Sequence, residues 1–290
     1  MTNLRIQLFG GFSITLNDKE VLPGRRTSRT ALLLAFLLLK RNRRQSREQL
    51  AYMFWTDSSD MQARTNLRSV LASLRKQAPA LAPYLQDDDA YLCWRTGQSQ
   101  EFDVDAFESA LQQAALLEDA DDAVLVTVLE KAVSLYAGEL LPGYYEDWVL
   151  AERMRLHMAY LDALIWLVDL LEKSGHLHKA IRYAEMLLQA DRLRETSHLL
   201  LMRLCAAAGD RARALAIYAD CARLLVEELG VEPGPAIEQL HRHLLQDSEP
   251  ENGSSPDIPS GSALVGRVSD WMQLDFPLLV QNSMKVQDFL

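Results

Sequence analysis

Arg64, Thr65, Asn66 and Ser69 crowd into six residues of "ARTNLRSVLASLRK", 63–76. Arginine presents two donors that match the acceptor pair on a guanine edge, and asparagine pairs with adenine through one donor and one acceptor. Threonine and serine hydroxyls serve either base. In the same stretch Leu67, Val70, Leu71 and Leu74 fall at helical spacing and form one apolar stripe. The remaining face carries Arg68, Arg75 and Lys76 as well, and no carboxylate. The chemistry on offer is hydrogen bonding to base edges beside cationic groups suited to phosphates.

Charge supports that reading. The chain has 290 residues and a formal charge of −10. Residues 1–97 nonetheless hold 15 Lys and Arg against 8 Asp and Glu, a balance of +7, which leaves −17 on 98–290. A basic module on an acidic body points to a polyanion ligand for the first part alone. Further basic residues flank the short stretch. Arg43, Arg44 and Arg47 lie within "RNRRQSREQLAYMFW", around the turn that opens the short helix, and Arg25, Arg26 and Arg29 precede "TALLLAFLLLK". Together with Ser46, Arg68, Arg75 and Lys76, they are the expected phosphate ligands.

The elements that must hold these residues follow from the patterning. "LRIQLF" and "FSITL" alternate about Gly10-Gly11 and predict a hairpin, with "KEVLPG" as a third short strand. An apolar helix is expected over 28–40, then a short helix from the cap Ser46 to about Phe54. "TDSSD" is a turn in which Asp60 is placed to cap a helix over about 60–77. "APYLQDDDAYLCWR" reads as strand, turn, strand. Short helix, tight turn and amphipathic helix make a helix-turn-helix, and the closing hairpin makes a wing. Asp87, Asp88 and Asp89 at the wing tip predict that it does not probe a groove deeply.

Residues 4–96 resemble the winged helix-turn-helix of bacterial response regulators, in the variant of the Streptomyces antibiotic regulatory protein family. The matching pieces are "LRIQLFGGFSITLN", "RTALLLAFLLLKRNRRQSREQLAYMFWTD" and "ARTNLRSVLASLRK", in the family's order.

Beyond about 102 the chain is acidic and helical. "LLEKSGHLHKAIRYAEMLLQ" and "LCAAAGDRARALAIYADCAR" align at an offset of 34, Gly175 on Gly209 and Ala180 on Ala214. That period predicts tetratricopeptide-like helix pairs, stacked where small residues allow close approach. "FDVDAFESAL", "LYAGELLPG", "DWVLAERMRL" and "LLVEELGVEPGPAIEQLHRHLL" resemble the bacterial transcriptional activator domain that follows the winged helix in the same family.

The expected fold is therefore mostly α with small β elements, in four parts. These are a winged helix-turn-helix over 1–97, a helical activator domain over 102–246, a Pro/Ser/Gly-rich linker over 247–262, and a tail over 263–290. The tail's "ALVGRVSDW" resembles the start of a nucleotide-binding module, and a tail docked on the helical array is the other reading. The resemblance implies a DNA-binding activator on direct repeats beside a promoter, touching RNA polymerase and a second copy. The alternative is a tetratricopeptide-type interaction adaptor with the basic module as a structural cap.

Other chemistries find no support. G-x-S-x-G, H-E-x-x-H, G-x-G-x-x-G and G-x-x-x-x-G-K-[ST] are all absent, so neither enzyme nor cofactor is expected. The histidine pairs 176/178 and 241/243 are two apart and point apart on a helix, so no metal is expected. Cys93, Cys205 and Cys221 lack metal-site spacing and suggest a reducing, cytoplasmic compartment, at the nucleoid when DNA is bound.

Overall fold

The computed structural model describes residues 3–22, 28–97, 100–117 and 121–246. The expected linker over 247–262, the tail over 263–290, and Arg25 and Arg26 lie outside the described residues. The chain forms two compact units. One comprises the described residues up to Ser109 together with Ser134–His157; the other comprises Ala110–Val133 and the described residues from Met158 onward.

The first unit opens with β1 (Leu4–Gln7) and β2 (Ser13–Leu16), antiparallel in the register Leu4↔Leu16 to Gln7↔Ser13. The alternation seen in the sequence places Leu4, Ile6 and Ile14 inside. Gly10, in the connection, has φ +70°, and a Cβ there would meet the Ala137 carbonyl oxygen at 3.0 Å. Glycine is required twice over, by conformation and by space. The expected third strand shrinks to β3 (Lys19–Glu20).

Helix α1 (Arg29–Leu39) starts where the Ser28 hydroxyl accepts from the Ala31 N–H at 3.1 Å. Its residues 31–38 are all buried, which explains the long Leu/Ala run. Next come β4 (Gln45–Ser46), α2 (Arg47–Phe54) and α3 (Asp60–Gln77). A short 3-10 turn (Pro79–Leu81) leads to the hairpin of β5 (Leu85–Asp87) and β6 (Tyr91–Trp94). β4 adds to β6, giving a three-stranded sheet in the order β4-β6-β5. The winged helix-turn-helix architecture is as expected.

One boundary differs. The expected module ends at 97, yet β7 (Gln100–Phe102) pairs in parallel with β1, Leu4↔Gln100 through Ile6↔Phe102, and completes the sheet β3-β2-β1-β7. Asp103, the first residue of α4 (Asp103–Leu116), then accepts the backbone N–H groups of Leu8 at 2.9 Å and Phe9 at 2.8 Å. Burial pushes the Asp103 carboxyl pKa up, while these donors pull it down. Trp148, near the start of α6 (Asp147–Lys173), sets its ring 5.2 Å from Phe36, edge to face. The first unit therefore draws its sheet edge, a strand-end acceptor and an aromatic core contact from beyond residue 97.

The second unit is helical. It holds α5 (Asp122–Leu135) up to Val133, the later part of α6, and then α7 (Leu177–Ala190), α8 (Glu195–Ala207), α9 (Arg211–Leu229) and α10 (Pro235–Gln246). The two repeats are helix pairs with Gly175 (φ +77°) and Gly209 (φ +83°) in their turns, and Ala180 and Ala214 fully buried. Gly230, left-handed at φ +67°, caps α9. Among the described residues no helix is long and apolar enough to cross a membrane.

Candidate nucleic-acid interface

The helix-turn-helix is fixed by two serine caps and one apolar stripe. The Ser46 hydroxyl accepts from the Gln49 N–H and starts α2; the Ser59 hydroxyl accepts from the Gln62 N–H and starts α3. The cap of α3 is thus Ser59, not the expected Asp60, which becomes the first helical residue. Its carboxylate there favours the positive end of the helix dipole. Ala63, Leu67, Leu71 and Leu74 are buried against the module, and Val70 is half-buried at the stripe's edge.

That stripe decides which way the other side chains point. At 100° per residue, the direction opposite the buried stripe belongs to Gln62, Thr65, Ser69, Ala72 and Lys76, all exposed, with exposed Met61 and Arg68 on one shoulder of that face. Met61 is 81% exposed. Arg64 and Asn66 stand on the two flanks. The Arg64 guanidinium pairs with Glu48 on α2. Asn66 is half-buried, and its Oδ1 accepts from Gln62 Nε2 at 2.9 Å. The Thr65 hydroxyl donates to the Met61 carbonyl at 2.9 Å. Ser69 is exposed on the same helix.

The rim of this face is more self-contained than the sequence suggests. The Asp87 carboxylate, at the end of β5, accepts Arg47 Nη1 at 2.5 Å and also pairs with Arg75. Its side chain is only 6% exposed. One acid thereby ties the start of α2 and the last turn of α3 to the wing. Arg47 donates again to the Asp88 carbonyl at 3.1 Å. Arg44 pairs with Asp88 at 2.6 Å and lies over the Tyr91 ring, 4.6 Å from its centroid. The other Asp88 oxygen accepts the N–H groups of Ala90 and Tyr91 and closes the wing turn. The Arg44 guanidinium, with these backbone donors, holds the Asp88 carboxyl below the usual range.

The expected phosphate ligands thus divide into two groups. Arg44, Arg47 and Arg75 are engaged by the wing, and Arg29 pairs with Glu146 at 3.4 Å. Arg43, Arg68 and Lys76 are exposed and take no part in these ion pairs. Sequence reasoning missed Glu48, Asp87 and Asp88 as partners. For the two aspartates the available signal was the acidic run at the tip of a hairpin that follows a basic turn and the basic helix α3.

Three comparisons bear on this arrangement. The bacterial transcriptional activator domain family matches residues 102–245. The regulatory protein AfsR of Streptomyces griseus is 32% identical over 239 residues, which cover 79% of this chain and 23% of that protein. AfsR of Streptomyces coelicolor is 31% identical over 216 residues, 74% of this chain and 22% of that protein. The chain spans under a quarter of the length of these relatives. A solved structure of Mycobacterium tuberculosis EmbR in complex with a low affinity phosphopeptide superposes with a TM-score of 0.68. It is 20% identical, with 87% of this chain and 67% of that chain covered, and so shows the shared fold.

Fold and matches together define a winged helix-turn-helix protein with a bacterial transcriptional activator domain. The match to both AfsR proteins bears out the resemblance to the Streptomyces antibiotic regulatory protein type, and residues 102–245 belong to the bacterial transcriptional activator domain family.

Proposed function

We propose that the chain is a sequence-specific DNA-binding transcriptional activator whose helix α3 enters the major groove. The observation that carries this reading is the outward face of α3. It is exposed, rich in hydrogen-bonding groups and free of carboxylates, on a helix placed as the second of a helix-turn-helix. Arg64, Thr65, Asn66 and Ser69 read base edges. Arg68, on the shoulder of that face, holds a phosphate. Reading by Arg64 requires release from Glu48.

Arg43 and Lys76 hold phosphates, as does Ser46, whose oxygen already accepts from Gln49 and whose hydroxyl proton remains to donate. The helical domain supports binding of a second copy on direct repeats and contacts RNA polymerase. Direct repeats call for head-to-tail placement without a two-fold axis.

The test is selection of duplexes from a random pool by the full chain, followed by titration with salt. A specific complex weakens steeply as salt rises, because phosphate contacts release counterions. Failure to enrich any sequence would overturn the proposal. Enriched sites in tandem, bound together more tightly than singly, are expected from linked binding events.

A further inference from the structure

We infer that Asp87 and Asp88 are affinity-limiting residues of the DNA face. They occupy the arginines at the rim of the DNA face, so that mixed-sequence duplex is held weakly. This inference rests on the DNA-binding reading above.

Three arginines in positions suited to phosphates, Arg44, Arg47 and Arg75, each meet a carboxylate of the wing. A phosphate can bind such an arginine only by displacing that carboxylate, or by approaching beside it against like-charge repulsion. The contacts differ in how readily they give way. Asp87 is 6% exposed and Arg47 22%, and Arg47 has a second acceptor in the Asp88 carbonyl. That pair is a fixed brace. Arg44 and Asp88 are 64% and 53% exposed. Exposed pairs of this kind contribute little stability and exchange partners easily.

Non-specific binding draws on phosphate neutralisation alone, whereas a specific complex adds base contacts. Carboxylates that pre-empt three rim cations therefore weaken both complexes by a like factor, and the mixed-sequence complex, which has no base contacts to fall back on, is the one left too weak to persist. The acidic wing tip, out of place on a basic module, gains a physical role.

The experiment compares the full wild-type chain with Asp87→Asn and Asp88→Asn. Each is titrated against the duplex that the wild type selects and against sheared genomic DNA of mixed sequence. Asp88→Asn retains the oxygen that accepts from Ala90 and Tyr91, so it reads the effect even where Asp87→Asn loosens the fold. Each freed arginine should raise mixed-sequence affinity about three- to tenfold near physiological salt and steepen the salt slope by about one. The affinity for the selected duplex should rise by a like factor, because phosphate contacts carry no sequence information.

If Asp88→Asn leaves both affinities and the slope unchanged, or lowers both together, the inference is overturned while the DNA-binding reading stands. If the wild type itself selects no duplex, the DNA-binding reading fails, and this inference with it.

Discussion

Asp103→Asn probes the joint between the first sheet and the activator domain. One Asp103 oxygen accepts from both Leu8 and Phe9, at 2.9 and 2.8 Å; the other accepts from Val104 at 2.8 Å and more distantly from Leu8 at 3.1 Å. An amide nitrogen in place of the first oxygen cannot accept, so Phe9 loses its partner and Leu8 keeps only the longer bond. A buried donor left unsatisfied costs about 1–3 kcal/mol. Part of this is offset, because burial already disfavours the Asp103 carboxylate and the amide carries no charge to desolvate.

A net loss of about 1–2 kcal/mol is expected, which corresponds to amide exchange about five to thirty times faster. Hydrogen exchange of the full chain should show this acceleration at Leu8 and Phe9, with α8 as the internal reference. Unchanged exchange at Leu8 and Phe9, or the same acceleration in α8, would refute the reasoning.

Two further outcomes follow from packing and charge. Leu71, 1% exposed in the stripe of α3, should cost about 2–5 kcal/mol when replaced by Ala, read as a lower melting temperature with DNA binding lost in parallel. Glu152 is half-buried, and its desolvation pushes its pKa up, but Arg155 and Lys40 overcome this and hold it below the usual glutamate range. Its folded form binds fewer protons than its unfolded form, so its stabilisation is present above the ordinary glutamate pKa and lost as pH falls through the lowered value. Glu152→Gln should flatten the acid limb of stability measured by urea unfolding.

Much of the candidate site was legible because its determinants are local. The stripe Leu67–Leu71–Leu74 and the capping serine Ser46 belong to single helices, and α3 runs from Asp60 to Gln77, as periodicity predicts. The repeat pairing Gly175 with Gly209 is likewise visible, because both glycines take left-handed turns that the helix pairs require. Contacts across long separations left no periodic trace. The pairing of β7 with β1, the Asp103 acceptor and Trp148 against Phe36 join residues about a hundred apart, so a boundary drawn at a change of composition falls inside one packed unit. Charge was legible as a balance but not as a set of partners. Arg47 and Arg75 count toward a basic face in the sequence, and a single nearly buried carboxylate claims both in the fold.

The most direct test of the central claim repeats duplex selection with variants of α3 in the full chain. Thr65→Ala and Ser69→Ala should each shift the preferred base at one position of the site, at about 1–3 kcal/mol for the original sequence. Arg43→Ala and Lys76→Ala should weaken all sequences alike and lower the salt slope by about one. Equal losses on selected and mixed-sequence DNA from all four variants would contradict the claim that α3 reads the major groove.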